Sequence, residues 1–260
     1  MLAAVRTLIR YRALIRSLVE RELKARYRGS VLGFFWSFVN PLLLLLTYGF
    51  VFTYMLPGVR AHSEEPYFIF LFCGILPWTF FNASLLESSG VLISGGNLIK
   101  KVLFPAEVLP VVTVLANLVH FLLGLPVLFA FLAWSGHLSP WALLLPLPLL
   151  VQFVFTLGLA LFVSALTVHF RDIQNLLSHV LHLWFFATPI LYAYPRGGTL
   201  RAALRLNPMA HVAAVYHELL FYGRFEHVRG LCVAAFAALV AFALGAFLFE
   251  RLRDTLAEEV

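Results

Sequence analysis

Residues 108–170 run for 63 positions without one Asp, Glu, Lys or Arg. Such a stretch has no place on a water-exposed surface. A bilayer core about 30 Å thick is crossed by roughly 20 apolar residues in a helix. Sixty-three residues are therefore too many for one crossing, and the turn cluster Ser135-Gly136-His137-Leu138-Ser139-Pro140 divides them into a helical hairpin. Further charge-free runs at 29–59, 66–86, 173–195 and 230–249 add one crossing each, six in all. The chain is 62% apolar and 12% charged, whereas soluble domains carry about 25% charge. The expected fold class is an all-α membrane protein with six transmembrane helices. Disorder, a nucleic-acid module and a disulfide-stapled secreted domain are excluded.

Six crossings put both ends on one side. Arg6, Arg10, Arg12, Arg16, Arg21, Lys24, Arg26 and Arg28 precede the first run, and Lys100 and Lys101 follow the second. Arg171 follows the fourth, and Arg251 and Arg253 follow the sixth. Thirteen of the nineteen basic residues thus share a side, which the positive-inside rule makes cytoplasmic. The expected location is the cytoplasmic (inner) membrane, multi-pass, with both termini inside. No secretory signal is expected, because the first apolar run follows about thirty residues rich in arginine. The exception to the charge rule is segment 196–229, with five arginines on the assigned outside.

The first thirty residues have helical periodicity. Arg6, Arg10, Arg16, Glu20, Arg21 and Lys24 fall on one arc; Val5, Leu8, Leu14, Ile15, Leu18, Val19 and Leu23 fall on the other. The continuous apolar arc favours an amphipathic helix lying in the membrane interface over a basic tail that only sets topology. The expected organisation is an interfacial helix over 1–30, a transmembrane domain over 31–253 and a cytoplasmic tail over 254–260. In the outside segment, the apolar stretch 206–222 is interrupted by Asn207-Pro208, His211, His217 and Glu218. Short re-entrant helices between spans five and six fit it better than a seventh crossing.

Groups for catalysis are sparse. Glu87 closes the second run, Glu107 opens the third and Glu218 sits outside, so no two carboxylates are spaced as an acid/base pair. Gly95-Gly96-Asn97-Leu98-Ile99-Lys100 lacks the spacing and the Ser/Thr of a phosphate-cradling loop. No catalytic residue, metal ligand or bound cofactor is expected in this chain. Cys73 and Cys232 read as small buried hydrophobes. His179 and His182, three apart, read as packing or pore-lining histidines rather than a metal site. Among the polar aromatics, Trp36, Tyr48 and Tyr54 mark the first span and Trp184, Tyr192 and Tyr194 the fifth. They form either the ordinary interfacial belt or the lining of a passage, where rings stack on sugar faces. Asn40-Pro41 within the first span points that helix toward a cavity rather than lipid.

The stretch Glu22-Leu23-Lys24-Ala25-Arg26-Tyr27-Arg28-Gly29-Ser30-Val31-Leu32-Gly33, continuing into Phe35-Trp36-Ser37 and Asn40-Pro41-Leu42, resembles the opening of the polysaccharide-export permeases of the type 2 ABC transporter family. Residues 97–105 (Asn-Leu-Ile-Lys-Lys-Val-Leu-Phe-Pro), Phe170-Arg171-Asp172-Ile173, and Leu206-Asn207-Pro208-Met209 with Tyr222-Gly223 resemble it too. The resemblance spans essentially the whole chain. It implies a homodimer bound to two copies of a separate ABC ATPase, which holds the ATP and Mg. The substrate would be a lipid-linked surface polysaccharide of O-antigen type, carried on undecaprenyl diphosphate, with teichoic-acid or capsule polymer as the alternative. A membrane-embedded enzyme acting on lipid-linked sugars is the more distant reading.

The resemblance also places a coupling helix at about 95–104, with Asn97, Leu98, Lys100 and Lys101 as ATPase contacts. The competing reading is a plain basic loop. Glu20, Glu22 and Arg26 are weaker coupling candidates. Trp36, Asn40, Tyr48, Tyr54, Trp184, Tyr192 and Tyr194 would line the passage, and Asn207, Pro208, His211 and Tyr222 would belong to an outer gate. The arginines of the outside segment would meet lipid phosphates or an anionic glycolipid.

Overall fold

The computed structural model describes residues 10–26, 28–29, 35–51, 55, 66–96, 105–195 and 197–259. The described residues are helical throughout, joined by turns. In chain order they form α1 (Arg12–Arg26), α2 (Trp36–Phe50), α3 (Tyr67–Ser94), α4 (Val108–Trp134), a 3-10 turn (Pro140–Leu144), α5 (Pro146–His169), α6 (Ile173–Phe186), α7 (Gly198–Leu204), α8 (Pro208–His217), a π-helical turn (Glu218–Tyr222) and α9 (Val228–Glu259).

Among the described residues, four helices are long and apolar enough to cross a membrane: α3, α4, the unit formed by the 3-10 turn with α5, and α9. α6, with 14 residues, is about 21 Å long, short of a full crossing as a helix; α2 is described over 15 residues. α6 stops at Phe186 although the apolar run continues to residue 195, because Pro189 cannot extend a helix. The turn is fixed by Thr188, whose hydroxyl donates to Trp184 O at 2.8 Å. α9 continues through Arg253 to Glu259 without a break.

Local signals explain the ends. α4 closes where His137 N donates to Leu132 O at 2.9 Å, and Ser139 Oγ then accepts from Trp141 N to start the 3-10 turn. Pro208 opens α8 at its first position, where its missing N–H costs nothing. α3 lies at the centre, packed against α4, α5, α6 and α8. Ile69, Phe70, Leu71, Phe72 and Cys73 are all buried there. Cys232 is not the buried hydrophobe expected: it is exposed on α9, and both cysteines are free.

α5 and α9 form the most extensive helix pair, with Gly158 against the backbone of Ala241 and Phe242. Their outward faces carry the large exposed apolar residues Leu147, Leu150, Phe236, Leu244 and Phe247. For helices in lipid that is the expected arrangement, since hydrocarbon replaces water outside.

Candidate functional site

Among the described residues, two polar assemblies interrupt this apolar body, one toward the Ser94 end of α3 and one beside its middle. At the Ser94 end, Arg26 on α1 donates to Glu87 Oε2 at 2.6 Å and to Asn117 Oδ1 at 3.1 Å. Asn117 Nδ2 donates to the same Glu87 oxygen at 2.7 Å. One carboxylate therefore ties α1 to α3 and α4. Charged groups are expelled from hydrocarbon, so this triad marks a boundary level. From Glu87 back to Tyr67, and from Asn117 to Trp134, the helices measure about 32 and 27 Å, which matches one core thickness. Glu87→Ala leaves the Arg26 guanidinium and Asn117 amide without their shared acceptor. The pair is part-exposed, so the expected cost is about 1–2 kcal/mol, read as a drop in Tm of about 2–8 °C. Glu87→Gln, which keeps an acceptor oxygen, should recover more than half.

The second assembly joins α6 to the segment before α9. Asn207 accepts from Trp184 Nε1 at 2.9 Å and from Ala210 N at 3.3 Å. Its amide donates to Ala187 O at 2.9 Å and to Thr188 Oγ1 at 3.2 Å. One side chain thus caps α8 and holds the end of α6. Trp184, half-buried, packs edge-on against Phe81 at 5.3 Å and Phe155 at 6.3 Å. α8 is buried from Met209 to His217, between α3, α5 and α9. His217 stacks on Phe70 at 4.0 Å and donates from Nε2 to Phe70 O at 3.0 Å.

Beyond α8 the chain returns through a tight loop. Glu218 Oε2 accepts from Glu226 N and His227 N at 2.9 and 2.8 Å. Gly223 has φ +61, a left-handed conformation that an L side chain adopts only under strain. His211 Nε2 lies 3.0 Å from Arg205 O, and a carbonyl only accepts, so that nitrogen carries the proton. Its Nδ1 then accepts from His227 Nε2 at 2.8 Å. Burial holds His211 below the ordinary imidazole pKa, against the raising effect of the Arg205 carbonyl. Tyr194 packs on both histidines, with ring centroids 5.9 and 4.8 Å away. Tyr222 lies 5.0 Å beneath the Arg224 guanidinium. The Tyr192 hydroxyl donates to Phe186 O at 3.4 Å.

Of the other candidates, Trp36 is half-buried, and Glu20 and Glu22 are exposed on α1. Asn97, Leu98, Lys100, Lys101 and Tyr54 lie outside the described residues, as do the side chains of Asn40 and Tyr48. α6 exposes a stripe that was not singled out as a set: Asn175, His179, His182 and Phe186, spaced four, three and four apart. Its periodicity was legible; the direction it faces required the packing of α6 on α3 and α5. Among the described residues, no three His, Cys, Asp or Glu side chains converge as metal ligands.

Residues 13–221 match the family model described as "ABC-2 type transporter". The chain belongs to the ABC-2 type transporter family. It is 38% identical over 265 residues, covering all of both chains, to a Myxococcus xanthus protein named "O-antigen export system permease protein RfbA". Two Klebsiella pneumoniae proteins of the same name are 32% and 31% identical, each covering 93% of this chain and 92% of the relative. As a member of this family with four long apolar helices, the chain is a multi-pass membrane protein.

Proposed function

We propose that this chain is the permease subunit of an ATP-driven exporter that moves a lipid-linked surface polysaccharide of O-antigen type across the cytoplasmic membrane. The observation that carries this reading is the full-length 38% identity to an O-antigen export permease. In the proposed assembly α2 and α6, extended by the residues around them, complete six crossings with both termini cytoplasmic. The chain forms a homodimer and binds two copies of an ABC ATPase, which supplies the nucleotide chemistry. The glycan is carried on undecaprenyl diphosphate.

The polar stripe Asn175, His179 and His182 on α6 supports a passage beside this helix, because polar side chains in membrane segments face a wet cavity or another protein surface. Weak, repeated contacts with rings and amides suit a long polymer that must slide without being held. Residues 95–104 form the coupling element, through which ATP-driven closure of the partner moves α3 and α4. The segment from Asn207 to Tyr222 forms the outer gate.

Proteoliposomes test this with the permease, its partner ATPase and lipid-linked glycan present together or one at a time. Export is expected only with both proteins and ATP. Replacing Lys100 and Lys101 with Glu should cut export at least tenfold while ATPase activity persists, with Tm unchanged. Normal export by that variant removes the coupling assignment. Glycan turnover by this chain alone, without nucleotide, would make it a membrane enzyme instead.

A further inference from the structure

Between α1, α4 and α5 lies a groove of about 740 Å³. Ile15 and Val19 of α1, Leu115 and Leu118 of α4, and Phe153 and Leu157 of α5 make its walls. Arg12 and Arg16 border the same groove from α1, with Glu20 as the acid among its lining residues. Arg16 Nε holds Glu20 at 3.1 Å, which leaves a positive edge on the mouth. From Arg12 to Arg26, α1 carries five cations (Arg12, Arg16, Arg21, Lys24, Arg26) against Glu20 and Glu22, a net of 5 − 2 = +3.

The depth of the groove follows from the helices around it. The Arg26–Glu87–Asn117 triad sets the boundary level. Phe153 is next to Gln152, whose Nε2 donates to Pro77 O at 2.7 Å. Pro77 is ten residues above Glu87 on α3, about 15 Å. On α4 the groove straddles the charged boundary, with Val111 and Leu115 on one side of Asn117 and Leu118 and Val119 on the other; along α5 it rises to Phe153, about the middle of the core and so about one leaflet deep.

We propose that this groove is a binding site for an anionic phospholipid of the cytoplasmic leaflet, with one acyl chain along Leu115, Phe153 and Leu157 and its phosphate against Arg12 and Arg16. Arginine at a phosphate offers paired donors, and an apolar slot one leaflet deep takes a single acyl chain. A long polyprenyl chain overruns that slot, which separates this site from the exported glycolipid. The bound lipid would fix α1 to the spans beside the tie that Arg26 makes. The inference rests on the proposed placement of α1 at the cytoplasmic interface.

Thermal unfolding of the purified full-length protein in detergent tests it, with phosphatidylglycerol, phosphatidylcholine of the same acyl chains, or undecaprenyl phosphate added. At about ten times Kd, phosphatidylglycerol should raise Tm by about 3 °C, and clearly more than phosphatidylcholine does. The Arg12→Gln/Arg16→Gln double variant, altered only at exposed side chains, should lose that difference while keeping the smaller phosphatidylcholine response. Leu115→Trp, which fills the slot, should lose both responses. Native mass spectrometry should count at least one fewer retained phosphatidylglycerol on the double variant, a readout that stands if Leu115→Trp does not fold. Equal shifts from the two phospholipids, a full phosphatidylglycerol response in the double variant, or a larger shift from undecaprenyl phosphate would each overturn the assignment. None of these readouts needs the partner ATPase or transport, so loss of the export reading and loss of the lipid site are separable.

Discussion

Replacing Gly158 with leucine is expected to leave almost no folded protein to purify. A Cβ at this position would lie 2.6 Å from Phe242 Cα, and one added to Gly245 on the facing helix would strike Gly158 O. The obstacles are backbone atoms, which cannot rotate away as a side chain does. In lipid no hydrophobic force drives two helices together; close packing between small residues does. Opening the crossing by 1 Å already forfeits a quarter to a half of each dispersion contact. Overpacking a core that can adjust costs about 1–3 kcal/mol, and a backbone clash at the most extensive helix pair costs more. The measurement is the monodisperse fraction on size-exclusion chromatography, with Gly158→Ala expected to be intermediate. Gly197→Ala, where nothing lies within 4 Å of the added carbon, should behave as the parent. A monodisperse, stable Gly158→Leu protein would show that something else sets the distance between α5 and α9.

That contact shows where sequence reading runs out. The hairpin break at residues 135–140 was legible because Gly136, Ser139 and Pro140 act locally, and the start of α8 because Asn207-Pro208 is itself a helix-start signal. Ile15 and Leu18, buried in α1, lie on the apolar arc that the periodicity marks. The close approach of Gly158 and Gly245 was not, since glycine in an apolar run carries no mark of what it faces. The same holds for Arg26 and Asn117, 91 residues apart: each is visible as a polar group, but their shared acceptor Glu87 is a property of three packed helices. The partner of Trp184 was hidden for a related reason. A tryptophan in a transmembrane run shows amphipathic chemistry, and that its N–H meets Asn207 depends on a chain segment 23 residues on. The end of the α6 helix within the apolar run 173–195 also depends on the Asn207 amide, which donates to Ala187 O just before Pro189.

Asn207→Ala is expected to lower both stability and export, because one side chain serves two helices. The substitution removes the acceptor that caps α8 at Ala210 N and leaves the half-buried Trp184 N–H without its partner. It also removes the donors to Ala187 O and Thr188 Oγ1. Losing a cap costs about 0.5–2 kcal/mol, and an orphaned buried donor about 1–3 kcal/mol. The expected total of about 2–4 kcal/mol corresponds to a Tm lower by about 5–15 °C. Asn207→Asp keeps both acceptor bonds and places a negative charge at the α8 N-terminus, where the helix dipole favours it, while losing the two donor bonds. It should therefore fall between the parent and Asn207→Ala. Trp184→Phe removes one of the four bonds, so the Trp184→Phe/Asn207→Ala pair should be less destabilised than the sum of the single variants. Additive losses would mean that the two residues act separately. If the Asn207 tie holds the outer gate in register, export by Asn207→Ala should fall further than ATPase activity, in the proteoliposomes that test the permease reading. An unchanged ratio of the two would confine Asn207 to holding the fold.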